Sequence, residues 1–407
     1  MTGGHQPLWR NPVVALVFAT IVIMLSYGTR QSFGLYLRPI SMDLGWGREA
    51  FSLAVATQSL VIGLAAPFVA AISDKWSPIR VIVAAGLLYS TALVMMSQST
   101  TPEGMMLSVG ILAGLAASGC GLSLMLAVVG RIAPDEKRSA WLGITAAGGT
   151  GGQFFMVPFN QLLLSSFGWS HALLILAGMM FMISPMAAAI GNASGTTFKK
   201  KRETQSLGQA LREASRHRSY LLLVVGYFTC GFQIQFIVMH LPAYLADTET
   251  GTAMGATAIA LIGLFNMIGT WAAGQLGGKF SKKNLLCLLY LGRSTILLVF
   301  FLIPVSPVSV VIFACSIGLL WLATVPLTAG IVAQMFGPRY MATLYSLVFL
   351  SHQLGSFSSV WLGGRLYDLT GSYDTIWWAV ITVGLLAALV HWPINDRPIA
   401  RLAEQER

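Results

Sequence analysis

Twelve long apolar runs decide what this chain can become. They cover 12–37, 50–72, 80–98, 104–130, 141–164, 170–190, 219–245, 255–278, 284–303, 308–335, 342–365 and 373–393. A bilayer's hydrocarbon core is about 30 Å thick and a helix rises about 1.5 Å per residue, so each run is long enough to cross it as a helix. Backbone polar groups in lipid must be satisfied within the segment, which favours helices, and the alternation of a β-barrel strand is absent. Only 10% of the 407 residues are charged, against about 25% in soluble proteins. The expected product is an all-α membrane protein with both termini on one side. The start of the chain runs into the first span without a small-residue cleavage site and reads as a retained helix rather than a signal peptide.

The net charge of +10 is explained by where the cations sit. With the N-terminus inside, 20 of the 25 Lys and Arg residues fall on cytoplasmic ends and loops. Three, Arg38, Arg48 and Arg365, fall outside, and two, Arg30 and Arg293, fall within spans. This asymmetry predicts an integral, multi-pass protein of a bacterial inner membrane with both termini cytoplasmic. It also removes the reason to read the basic balance as a nucleic-acid signal.

The longest polar connection, 191–218, is strongly basic and separates two sets of six spans. The expected organisation is an N-terminal six-helix bundle over 1–190, a cytoplasmic linker over 191–218 and a C-terminal six-helix bundle over 219–407. Within the linker, Leu207–Ala214 has the pattern of an amphipathic surface helix or, alternatively, of a solvated tether. The halves read as repeats. Laying Gly28 on Gly231 brings Arg30 onto Gln233, Phe33 onto Phe236 and Pro39 onto Pro242. Laying Gly152 on Gly355 brings Phe167-Gly168 onto Thr370-Gly371. Two bundles related by a pseudo-twofold around a central cavity are the architecture this implies.

The arrangement of six plus six spans, a basic middle loop and a charged turn after the second span resembles the major facilitator superfamily. The turn runs from Ala70 to Arg80, and Asp74, Lys75 and Arg80 match the charged positions of the family's loop, while Ala70 and Ser77 replace its glycines. The resemblance implies that this loop gates conformational change. The equivalent turn after span 8, Gly274 to Lys283, carries Gly278 in place of the acid. Within the superfamily, Ser26-Tyr27 followed by Arg30, Gln31, Ser32 and Arg38 resembles the bacterial monocarboxylate transporter and oxalate–formate exchanger branch. There a helix 1 lysine contacts substrate; here Gln31 takes its position and Arg30 precedes it. Span 8 lacks the branch's Asp and Arg and offers Asn266 and Thr270.

The chemistry centres on Arg30. It lies about 12 Å below the outer end marked by Arg38 and Pro39, close to the midplane. An intramembrane charge is costly and faces a protein interior or a wet cavity. All 15 acids fall at the ends of spans, none at mid-depth. A carrier of organic cations would need a buried carboxylate; buried arginines point to an anion. Arg293 also sits near mid-depth, but on span 9, where the fold implied by the resemblance places helices outside the cavity; a purely structural charge is the competing reading.

Around Arg30 the expected substrate-binding set is Tyr27, Gln58, Gln153, Gln233, Asn266, Trp321 and Gln353. Amides can hydrogen-bond a carboxylate without adding charge, and they equally serve as glue between helices. With no acid at mid-depth, His352 is the foremost proton-coupling candidate, because an unperturbed histidine titrates near pH 6.5. His240, nearer the outer end, is the second. Either could instead be a neutral packing residue. Cys120, Cys230, Cys287 and Cys315 lie in apolar runs and read as small buried hydrophobes. The glycine clusters, such as 148–152, suit close helix approach rather than phosphate binding. No cofactor-binding loop, metal cluster or catalytic triad is legible, so neither a cofactor nor a metal is expected and an enzyme or sensor is disfavoured.

The expectation is therefore a secondary active transporter for a small, monocarboxylate-like organic anion. It would work by alternating access as a monomer in the lipid bilayer, by proton symport or anion exchange. The alternative is an efflux permease for a drug-like or other amphiphilic metabolite.

Overall fold

The computed structural model describes residues 12–193, 207–337 and 341–399. They are helical almost throughout and divide into two compact units, Met1–Lys199 and Lys200–Arg407. The first unit holds α1 (Pro12–Gln31), α2 (Phe33–Asp43), α3 (Arg48–Lys75), α4 (Pro78–Gln98), α5 (Pro102–Met105), α6 (Ala113–Gly119), α7 (Leu122–Ile132), α8 (Arg138–Phe181) and α9 (Ile183–Ala193). A π-helical turn, Met106–Leu112, joins α5 to α6. The second unit holds α10 (Leu207–Arg216), α11 (Arg218–Ala246), α12 (Thr252–Lys279), α13 (Lys282–Leu302), α14 (Pro307–Leu320), α15 (Thr324–Phe336), α16 (Met341–Thr370) and α17 (Asp374–His391).

Ten helical stretches are long and apolar enough to cross a membrane. One of them, Ala140–Ile190, holds two crossings, because Gly168 has φ 74° and ψ 170° and breaks the run. The helix α16 makes the twelfth crossing; its middle is rich in Ser, His and Gln, which lowers its hydropathy. Large apolar side chains such as Phe68, Leu162, Trp271, Leu288 and Leu389 point outward and are more than half exposed. That is the surface a protein presents when lipid is its solvent.

Four spans are interrupted where the sequence reading had them continuous; in the sixth, α8 gives way to α9 at Met182. The first breaks at Ser32, whose hydroxyl donates to the Gly28 carbonyl (2.9 Å) and whose N–H bonds Thr29 (3.1 Å). Serine can offer the backbone this local alternative to the helix ladder. The helix then continues to Asp43, past the expected end at Arg38 and Pro39. The fourth span breaks at Cys120 and Gly121, where Gly121 is extended. The tenth breaks between Leu320 and Thr324, because Pro326 lacks an N–H and its ring clashes with the carbonyl four residues back, that of Leu322. The amphipathic pattern at Leu207 forms a helix, α10, with Ala210 and Ala214 turned inward.

The most extensive helix pair in each unit is built the same way. In the first, α1 crosses α8 at Gly28 and Gly152: a Cβ on Gly28 would lie 2.6 Å from the Met156 side chain, and one on Gly152 would strike the Met24 carbonyl. In the second, α11 crosses α16 at Gly231 and Gly355, where Cβ atoms would strike the backbone carbonyls of His352 and Phe228. Helices this close tolerate only hydrogen at the crossing. One sequence offset carries the first glycine pair onto the second, and the same offset carries Gly168 onto Gly371, which also has positive φ (70°).

Candidate functional site

The first unit places Arg30 in the last turn of α1, half-buried, next to the break at Ser32. The carbonyls freed by the break are taken by Ser32 itself, so the guanidinium is not held there. It reaches instead to α3, where Nη2 donates to Ser59 Oγ at 3.2 Å. Its electrostatic neighbours are the phenols of Tyr27 on its own helix and Tyr89 on α4. Among the described residues no carboxylate pairs with it and Ser59 is its one hydrogen-bond partner. An arginine carries five N–H donors and stays ionised, so most of its donor capacity is open.

Beside Ser59, the side chain of Gln58 is 0% exposed, and neither its amide nitrogen nor its oxygen has a hydrogen-bond partner. The Tyr89 hydroxyl, equally buried, also lacks one. Orphaned buried polar groups cost about 1–3 kcal/mol each and call for an explanation. Sequence reading had named Arg30, Tyr27 and Gln58 here but not Ser59 or Tyr89. The available signal for Tyr89 was a hydroxyl-bearing aromatic well inside an apolar span.

The expected amides are not equivalent. Gln153 accepts from Gln31 Nε2 at 3.3 Å, a buried bond joining α8 to α1. Asn266 Oδ1 accepts from the Leu322 N–H (3.0 Å) and from Thr270 (2.9 Å), replacing a backbone bond at the broken tenth span; its Nδ2 is unpartnered. Trp321 forms the corner of that break, 1% exposed, with its indole N–H unpartnered. Gln233 Nε2 donates to Val380 O (3.2 Å) and Ser294 Oγ (3.4 Å), tying α11 to α17 and α13.

The second unit gathers His352, Gln353 and Arg293 around a residue that the sequence reading had set aside, Cys230. Nδ1 of His352 lies 3.1 Å from Gln353 Oε1, and its ring stacks on Phe349 (5.5 Å, 11°). Arg293, 0% exposed, directs Nη1 and Nη2 at Cys230 Sγ (3.8 and 3.9 Å) and lies 4.9 Å over the Tyr290 ring. Its Nε is buried without a partner. His240 stands apart and has both nitrogens occupied: Nε2–H donates to Val360 O (2.9 Å), since a carbonyl only accepts, and Nδ1 meets the Tyr373 hydroxyl (3.2 Å).

Lys75 closes α3 and Arg80 opens α4, both exposed, across a turn of only Trp76 and Ser77; Asp74 lies in the last turn of α3. Among the described residues no cluster of His, Cys, Asp or Glu could hold a metal ion.

Comparison with known proteins adds the following. A family model described as Major Facilitator Superfamily matches residues 17–360. An uncharacterized MFS-type transporter, YcxA, of Bacillus subtilis is 23% identical over 400 residues, covering 96% of each chain. Human monocarboxylate transporter 12 is 24% identical over 342 residues, 76% of this chain and 66% of that protein. Rat monocarboxylate transporter 13 is 23% identical over 365 residues, 86% of this chain and 81% of that one. The fold matches the crystal structure of a bacterial homologue of the human lysosomal transporter Spinster, with a TM-score of 0.76, 13% identity, and 95% and 97% of the two chains covered.

Proposed function

Because the chain belongs to the Major Facilitator Superfamily, whose members are transporters rather than enzymes, we propose that this multi-pass transporter is a secondary carrier of a small organic anion working by alternating access. One observation carries the reading. Arg30 is a permanent cation within the first span, bonded only to Ser59 and without a carboxylate among the described residues. A planar guanidinium with open donors suits a carboxylate in forked geometry. The orphaned amide of Gln58 can donate one further bond to the same anion, and Tyr27 and Tyr89 can supply hydroxyls. Relatives named as monocarboxylate transporters agree with this class of cargo.

Coupling is by proton symport or anion exchange, with His352 as the proton group, since both nitrogens of His240 are committed to packing bonds. The test is uptake into liposomes over a panel of mono- and dicarboxylates, with and without a pH gradient. Saturable uptake of one of them supports the reading; uptake or export of apolar amphiphiles alone overturns it. The excess of Lys and Arg on one side supports cytoplasmic termini in a bacterial inner membrane. A reporter active only in the periplasm, fused after Lys200, is expected to be silent; strong activity would invert the topology.

A further inference from the structure

Arg293 poses a charge problem. It is 0% exposed, permanently ionised, and far from either end of α13. A buried cation without a counter-charge is strongly unfavourable. Yet among the described residues no carboxylate pairs with it. Its contacts are the Tyr290 ring and, through two N–H groups, the sulfur of Cys230.

The titratable groups around that sulfur come from several helices. Arg293 and Tyr290 face it from α13, His352 and Tyr345 from α16, and Tyr227 from one turn back on α11. His391, on α17, stacks on Tyr290 (4.8 Å) and lies near Arg293. The Thr324 hydroxyl from α15 is 3.2 Å from the sulfur. Of these, Cys230, Tyr290, Tyr227 and Tyr345 can become anions. A free thiol ionises about 1.5 pH units more readily than a phenol, and only the sulfur receives the guanidinium's N–H groups. His352 also lies beside Cys230, and arginine or histidine beside a cysteine is the environment that creates thiolates.

We propose that Cys230 is the counter-ion of Arg293, held as a thiolate at neutral pH, and that with His352 it forms a proton-binding site in the second unit. As a thiolate the sulfur accepts from Arg293 and Thr324, and the pair is neutral. When a proton passes from an imidazolium at His352 to the sulfur, an S–H bond forms, the imidazole returns to neutral, and Arg293 is left uncompensated. One proton therefore switches this core between neutral and singly positive. Of the two proton-accepting groups only His352 keeps exposed surface, so it is the route in. The inference does not depend on the substrate.

Infrared spectroscopy of the full-length protein tests it. Cys120, Cys287 and Cys315 are each replaced by alanine, leaving Cys230 as the sole thiol. At pH 7 the folded protein should show no S–H stretching band. Unfolding it in denaturant at the same pH should bring up the band of one thiol per chain. Acidification of the folded protein should bring up the same band, as should Arg293→Gln. A full S–H band from the folded, Arg293-containing protein at pH 7 would overturn the proposal, whether or not the Gln variant folds. That result would leave the anion reading of Arg30 untouched.

Discussion

In the first unit the intramembrane arginine belongs to the first span and faces a tyrosine on the third, Tyr89. In the second it belongs to the ninth span and faces a cysteine on the seventh, Cys230. The offset that superposes the glycine crossings makes these the same junction, entered from opposite sides. It lays Tyr27 on Cys230 and Arg30 on Gln233. The frame is repeated while the charge has changed helices. What differs is solvation. Arg30 is half-buried with most donors open, whereas Arg293 is fully buried against sulfur and an aromatic face. On the two proposals made above, the repeat keeps one geometry and divides the work, with an open cation for a ligand in one copy and a closed, neutralised one in the other.

The strongest way to break that comparison is to exchange its two aligned residues. Arg30→Gln should lose most transport while the protein still inserts and purifies, because removing one partner of a desolvated charge pair costs about 2–5 kcal/mol, roughly 30-fold or more in affinity. Arg30→Lys should retain some transport with weaker apparent affinity, since the charge survives but the fork does not. Gln233→Leu should leave substrate affinity nearly unchanged and lower the melting temperature, because its bonds go to Val380 and Ser294. Thermal shift with and without candidate anions reads all three. Undiminished ligand stabilisation of the Arg30→Gln protein would show that Arg30 is structural after all.

The histidines sharpen the same contrast within the second unit. His352→Gln should weaken uptake driven by a pH gradient more than counterflow exchange, because only the former needs a proton to be taken up. His240→Gln should reduce both equally and modestly, through lost bonds to Val360 and Tyr373. Equal loss of both modes in His352→Gln would assign that residue to binding or packing.

Much of this was legible in the sequence, and the exceptions have physical causes. Apolar length gives the spans, and the repeat offset found the glycine crossings, since close backbone approach admits no other residue. Arg30 stood out because an ionised group in lipid is costly and faces a protein interior or a wet cavity. Cys230 did not, because a thiol in an apolar run is normally a small hydrophobe, and only the contact with Arg293 makes it otherwise. The absence of acids at mid-depth was visible, however, and it already implied that Arg293 needed an unusual partner. Asn266 was read as a candidate ligand. Its oxygen is committed to the Leu322 N–H at the break beside Pro326, a demand that exists only once the two helices are packed.

The smallest effect concerns the polar residues just past the glycine crossings, where the offset lays Gln153 on Ser356 and Gln31 on Ile234. In the first unit the pair Gln31–Gln153 is a buried bond between helices, at 3.3 Å. In the second the partner is apolar, and Ser356 Oγ donates to the His352 carbonyl of its own helix at 3.0 Å. Gln153→Leu leaves the Gln31 amide without that acceptor, with a cost of about 1–3 kcal/mol. Ser356→Ala removes a back-bond to the preceding turn, a type that slightly destabilises helices, and a long contact with His352 Nδ1 (3.5 Å) within the same helix, so its effect should stay within about 0.5 kcal/mol. Melting temperatures of the substrate-free protein should therefore fall measurably for the first variant and hardly at all for the second. Equal shifts would mean that the hydroxyl of Ser356 carries an interhelical role like that of Gln153, and that the two crossings are alike in polarity as well as in shape.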